Sequence, residues 1–201
     1  MTEQEAFWAG DFGTEYTTRN SECDDWFPPV AMFGRMLQRA PGIYSAMEFG
    51  CNVGRNLNAL SALIPNIELV GVEINEFAAK RAALSTGAAI VAGSVLDVDW
   101  DPADLVFTMG LLIHTAPDEL PQVYDQMWNH SKRYLLTIEY YSPRIEMIPY
   151  HGEDNRLWKR DFAGELMDRY PLRLVDYGFI YRRDAFPQDD VTWFLMEKEG
   201  K

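Results

Sequence analysis

Cysteine is almost missing from this chain. Its 201 residues include two, Cys23 and Cys51, and neither belongs to a CxxC pair or a cysteine/histidine ligand cluster. No disulfide framework or zinc site is therefore expected. Histidine is equally sparse, with His114, His130 and His151 as the whole supply, and no metal is expected either. Basic side chains are outnumbered: 18 Lys and Arg stand against 31 Asp and Glu, for a net charge of −13. Affinity for duplex DNA or long RNA comes mostly from basic groups that displace counterions, so the expected partner is a small molecule and not a nucleic acid. The acidic residues are scattered, as on a solvated surface. Long apolar runs are lacking too. No stretch approaches the roughly 18 residues of a membrane span, and the first 26 residues contain no apolar signal-peptide core. The expectation is a cytoplasmic protein with no membrane partner. There is no internal repeat or low-complexity tract, and nothing that specifies an oligomer. The length suits one α/β domain over 1–201.

What is present begins with Tyr44-Ser45-Ala46-Met47-Glu48-Phe49-Gly50-Cys51-Asn52-Val53-Gly54-Arg55-Asn56. This stretch reads as a buried strand, a glycine turn and the start of a helix whose apolar positions are Leu57, Leu60 and Ile64. A dinucleotide fingerprint GxGxxG begun at Gly50 would need glycine where Asn52 and Arg55 stand. The second of those glycines lets a pyrophosphate approach and the third lets helix and strand pack closely. An NAD-linked oxidoreductase is therefore disfavoured as the alternative reading. The frame acidic-x-Gly-x-Gly-x-Gly is met at Glu48, Gly50 and Gly54 and fails only at Asn52, a residue type that tolerates positive φ.

The segment Glu48-Phe49-Gly50-Cys51-Asn52-Val53-Gly54-Arg55-Asn56 resembles motif I of class I S-adenosylmethionine (SAM)-dependent methyltransferases. The resemblance implies an α/β fold: a Rossmann-like seven-stranded methyltransferase sandwich, mostly parallel, with an antiparallel C-terminal strand. It also implies SAM as cofactor, S-adenosylhomocysteine (SAH) as product, and Glu48, Gly50 and Asn52 lining the cofactor. The opening Phe7-Trp8-Ala9-Gly10-Asp11-Phe12-Gly13-Thr14-Glu15-Tyr16-Thr17-Thr18-Arg19-Asn20 is similar to that of methylases associated with pseudaminic acid and related surface-sugar biosynthesis. That likeness nominates Tyr16, Arg19 and Asn20, with Arg19 suited to grip a carboxylate. The alternative is an arm packed on the domain for stability.

Down the chain, 1–40 reads as an N-terminal lid and helix, 41–138 as the cofactor-binding core, and 139–201 as a substrate loop, last helix and C-terminal hairpin. Gly10 and Gly13 are expected to interrupt any long helix. Glu73 ends the second strand, 23 residues beyond Gly50, where Rossmann-like proteins place the acceptor for ribose hydroxyls, and Ile74 would pack on the adenine. By resemblance Ser94 and Val95, after the third strand, are adenine contacts, and Met109 at the end of the fourth strand borders the cofactor. DNA amino-methyltransferases show Asn/Asp-Pro-Pro-aromatic at that strand end. Here it reads Thr108-Met109-Gly110-Leu111, which argues against base modification.

His114 follows the fourth strand, and an imidazole there suits proton removal, making it the candidate catalytic base. The alternative role is a hydrogen bond that holds its loop. Thr115-Ala116-Pro117-Asp118 resembles a capping-box start for the next helix. Residues 139–160 show no period, as functional loops do not, and supply the candidate substrate contacts Glu139, Tyr140, Tyr141, Tyr150, His151, Lys159 and Arg160. The expected activity is methyl transfer to a small polar metabolite: a sugar, a sugar nucleotide or a related natural-product intermediate. A SAM-binding protein without turnover is the other alternative.

Overall fold

The computed structural model describes residues 1–20 and 27–200; Cys23 lies outside the described residues. Two short helices come first, α1 (Glu3–Ala9) and α2 (Asp11–Asn20), followed by α3 (Phe27–Met36). Thr2 caps α1 in a capping box with Glu5, and Gly10 separates α1 from α2. Gly13 does not break a helix, contrary to expectation, and sits inside α2. A Cβ there would stand 1.8 Å from the Trp8 carbonyl oxygen, so glycine is needed for the tight fold-back of α2 on α1.

The central unit alternates strand and helix: β1 (Ser45–Phe49), α4 (Arg55–Leu63), β2 (Glu68–Glu73), α5 (Glu76–Ser85), β3 (Ala89–Ala92), β4 (Ala103–Met109), α6 (Leu120–His130) and β5 (Ser131–Glu139). Asn75 caps α5 by accepting from the Ala78 N–H at 3.1 Å. The start of α6 differs from the sequence reading. Glu119 is its N-cap without a side-chain bond, Pro121 sits in its first turn, and Thr115 instead donates to the Leu111 carbonyl at 3.2 Å. Proline at the first helical turn favours initiation there.

The aperiodic stretch after β5 contains a two-stranded ribbon, β6 (Glu146–Met147) with β7 (Trp158–Lys159). The chain then forms α7 (Phe162–Arg169), capped by Asp161, and ends in β8 (Leu172–Ile180) and β9 (Val191–Lys198).

The main sheet has seven strands in the order β3-β2-β1-β4-β5-β9-β8. Strands β1 to β5 are mutually parallel; β9 runs antiparallel to both β5 and β8. Strand alternation sends Met47, Phe49, Val106 and Leu135 into one core layer with α6 and α7. Ala46, Leu105, Phe107, Leu136 and Ile138 enter the other layer, against α3 and α4. Both faces of the parallel strands are covered, which accounts for their continuous apolar runs. Strand order reverses between β1 and β4, and open α/β sheets bind ligands outside the carboxyl ends of the strands at such a reversal.

Candidate functional site

The turn after β1 is built from positive-φ residues: Gly50 at φ 75°, Asn52 at 47° and Gly54 at 79°. Four of its amides are used within the protein. Gly50 N–H and Cys51 N–H both donate to the Val72 carbonyl, and Gly54 N–H to Cys51. Asn52 N–H donates to Glu73 Oε2 at 2.8 Å. The other Glu73 oxygen accepts from Asn75 N–H, also at 2.8 Å, so one carboxylate joins the ends of β1 and β2. Its pKa is raised by burial, against the pull of these amides.

Beneath the turn, Glu48 is buried. Asn56 Nδ2 donates to its Oε1 at 2.6 Å, while Oε2 is buried and has no partner among the described residues. Desolvation, reinforced by the nearby Glu73 charge, pushes its pKa to about 8.

A cleft opens over this turn and encloses about 970 Å³, its mouth included. Gly50, Asn52, Glu73, Ile74, Ser94, Val95, Met109 and His114 line it, as does Tyr16 from the N-terminal segment. Glu48 does not border the cleft and stands below its floor. Arg19 does not line it either: its guanidinium is exposed, 4.0 Å from Glu15 and 5.9 Å from the Phe12 ring centroid. Asn20 ends α2, and its side chain lies outside the described residues.

The N-terminal helices roof the cleft. Asn75 Nδ2 lies within 3.1–3.3 Å of the Trp8, Ala9 and Gly10 carbonyls and Thr14 Oγ1, which ties the α1–α2 corner to the end of β2. Thr17, 2 % exposed, donates to Asn52 Oδ1 at 3.2 Å. Gln4 Nε2 donates to the Asn155 carbonyl at 2.8 Å, and Arg156 donates to Gln4 and Glu3. Trp8 and Tyr16 are half-buried and line the cleft, and Phe12 packs on Trp8. Sequence reasoning did not single out Gln4, Glu5, Thr17 or the second role of Asn75, because those side chains act on residues at least 35 positions away.

His114 closes a 3₁₀ turn after β4. Its Nδ1 is 2.7 Å from the Arg156 carbonyl; a carbonyl only accepts, so Nδ1 carries the proton and Nε2 keeps its lone pair. Desolvation lowers its pKa to about 4, which leaves the ring neutral at pH 7. It packs between Trp8 and Tyr150, with ring centroids at 4.6 and 4.8 Å. Trp8 Nε1 is buried without a partner among the described residues.

The predicted substrate residues separate in space. Tyr150 stacks near His114, and Tyr140 donates to Asp189 at 2.7 Å, with Lys159 Nζ 5.4 Å from its ring centroid. Tyr141 is 43 % exposed, His151 is exposed at the ribbon's tip, and Arg160 is paired with Glu165 at 2.6 Å. Glu139 is buried, and its carboxylate accepts the N–H groups of Leu111, Leu112 and Ile113 at 3.2–3.3 Å. Burial pushes its pKa to about 7. Glu139 holds the turn that carries His114 and does not line the cleft. No group of residues suited to a metal ion occurs among the described residues, and no described helix is long and apolar enough to cross a membrane.

No protein-family model and no curated protein matches this sequence. Solved structures do match along nearly its full length. One is the 1,6-didemethyltoxoflavin-N1-methyltransferase of Burkholderia thailandensis with bound 1,6-didemethyltoxoflavin and SAH, at 17% identity over 98% of this chain and 90% of that one, TM-score 0.74. Another is a sugar N-methyltransferase from a Streptoalloteichus species, at 14% identity over 96% and 94%, TM-score 0.68. A third is a SAM-bound amino pentose methyltransferase from Micromonospora echinaspora, at 12% identity over 93% and 96%, TM-score 0.64. The chain therefore has the Rossmann-like fold of these methyltransferases, as the sequence led us to expect.

Proposed function

We propose that this protein binds SAM in the cleft over β1, β2 and β4 and transfers its methyl group to a small polar metabolite. The observation that carries this reading is the turn after β1. Four of its amides are committed inside the protein, and Asn52 stands where close approach of a pyrophosphate requires glycine. Glu73, held by the Asn52 and Asn75 amides, stands there instead as a hydrogen-bond acceptor facing the cleft, with the Glu48 carboxyl buried beneath it. SAM carries a sulfonium, an amine and a ribose. On this reading Glu73 accepts from the ribose hydroxyls and Ile74 and Val95 flank the adenine, while Glu48, which does not border the cleft, supports the turn from beneath. These features argue equally against a nicotinamide dinucleotide.

Bound SAM supplies an already activated methyl group. What remains for the chain is to hold an acceptor atom in line with it and to keep water out, and orientation of this kind supplies up to about 7–11 kcal/mol. Trp8 and Tyr150 form apolar walls around His114, whose Nε2 is free to accept a hydrogen bond from an acceptor hydroxyl or amine. Its low pKa makes it a better orienting group than a strong base. Sugar and natural-product methyltransferases among the structures of the same fold, together with the likeness at the N-terminus, support a sugar, sugar nucleotide or related intermediate as acceptor.

Titration calorimetry tests the cofactor assignment. SAH is expected to bind and NAD not to, and Glu73→Gln should weaken SAH by roughly 10–100-fold, the loss of a charge-assisted hydrogen bond. A folded protein that takes up neither SAM nor SAH overturns the reading. A protein that takes up SAM but yields no methylated product across amino- and hydroxy-sugar acceptors would instead be a binding protein.

A further inference from the structure

On the reading that the cleft takes SAM, the position of the purine follows from the sheet. Ribose at Glu73 places the base toward β3, the neighbour of β2 on the outer side. The walls there are apolar, with Val72, Ile74, Val95 and Leu96 lining the cleft, and suit a flat ring. The polar side chains at this end are Gln4, Glu5, Ser94 and Glu119.

Gln4 is committed at both ends of its amide, donating to Asn155 and accepting from Arg156. The Ser94 hydroxyl is also committed: it accepts from Leu96 N–H at 2.9 Å and donates to Glu5 Oε1. Glu5 differs from both in offering acceptors only. Its side chain is 13% exposed; Thr2 N–H holds Oε2 at 2.6 Å with the Met1 ammonium 3.8 Å from the same oxygen, and Ser94 holds Oε1. Oε1, with Ser94 as its partner, still has a second lone pair. The result is an oriented acceptor-only group at the edge of the base site, delivered from helix α1 of the N-terminal segment.

We propose that Glu5 reads the exocyclic amine of the cofactor's purine, so that the N-terminal helices carry part of the cofactor's specificity. Adenine donates from that position, whereas hypoxanthine presents an oxygen that a carboxylate repels. A group already held in place accepts a ligand with little further ordering cost. Because the same carboxylate belongs to the roof of the cleft, cofactor binding would also hold α1 in place.

The test compares SAH with S-inosylhomocysteine by calorimetry on the full chain. Wild type is expected to prefer SAH by roughly 10–100-fold. Glu5→Gln, which can still complete the capping box with Thr2, should reduce the preference to within about threefold, because an amide can donate to the oxo group as readily as it accepts from the amine. Glu119→Gln, which changes the other carboxylate at this end, should keep the preference. The inference is overturned if wild type binds both ligands alike, if Glu5→Gln still discriminates, or if Glu119→Gln is the variant that loses discrimination. Failure of wild type to bind SAH at all overturns the proposed function together with this inference, whereas SAH binding with unchanged discrimination in Glu5→Gln removes this inference alone.

Discussion

Asn52 meets two demands that no other residue of the turn meets. Its backbone adopts φ 47°, which costs an ordinary L-residue roughly 1–2 kcal/mol and an asparagine less, and its side chain accepts from Thr17. Asn52→Val should therefore lose about 1–2 kcal/mol of stability in denaturant unfolding. Asn52→Gly should stay near wild type in stability while releasing Thr17, seen as faster amide exchange in α2. Comparable stability for the Val and Gly variants would mean that the turn is not strained. The three buried glutamates among the described residues show how burial sorts one residue type into different roles. Glu73 joins two strand ends, Glu139 holds the His114 turn through three amides, and Glu48 keeps one oxygen free of partners.

The elements with most influence on the cleft are the short helices α1 and α2, too short to persist alone in water. They hold their place through the corner that Asn75 caps and through the packed rings of Phe7, Trp8 and Phe12, with Phe7 stacked on Phe12 and Trp8 edge-on to it. Gly13→Ala drives a Cβ into the Trp8 carbonyl, and such overpacking typically costs about 1–3 kcal/mol. The expected outcome is local: hydrogen exchange of residues 3–20 accelerates and SAH binds more weakly, while exchange in β1, β4 and β5 is unchanged. Uniform loss of protection across the sheet would show instead that the helices are integral to the core.

Over the whole molecule, buried ionisable groups set the response to pH. Glu48 is pushed to about 8 and Glu139 to about 7, against roughly 4.3 for an unfolded glutamate. Between those values the native state holds protons that the unfolded chain has released, so stability falls as pH rises through the window. His114 acts in the opposite sense. Lowered to about 4 from an ordinary value near 6.5, it costs stability as pH drops between those two values. From pH 6.5 to pH 8 the two carboxyls outweigh the tail of the His114 transition. The denaturation midpoint should therefore be lower at pH 8 than at pH 6.5, and Glu48→Gln should shrink the difference; a midpoint that rises over this range would refute the assignment of neutral buried carboxyls.

The sequence alone determined the turn after β1, because its φ preferences, its acidic neighbour and the spacing to Glu73 all lie in consecutive or nearby residues and are imposed by local sterics. The alternation of strands and helices was legible for the same reason: apolar period and caps are short-range signals, and the seven strands of the main sheet fall where they pointed. Only the tertiary structure decided that β9 inserts between β5 and β8, that Gly13 permits a helix fold-back, that Glu139 serves the backbone, and that Thr17, Gln4 and Glu5 converge on the cleft. Apart from the Gly13 corner, these outcomes depend on groups from 26 to 152 residues apart finding one another, and a buried polar side chain takes whichever partner packing brings within reach.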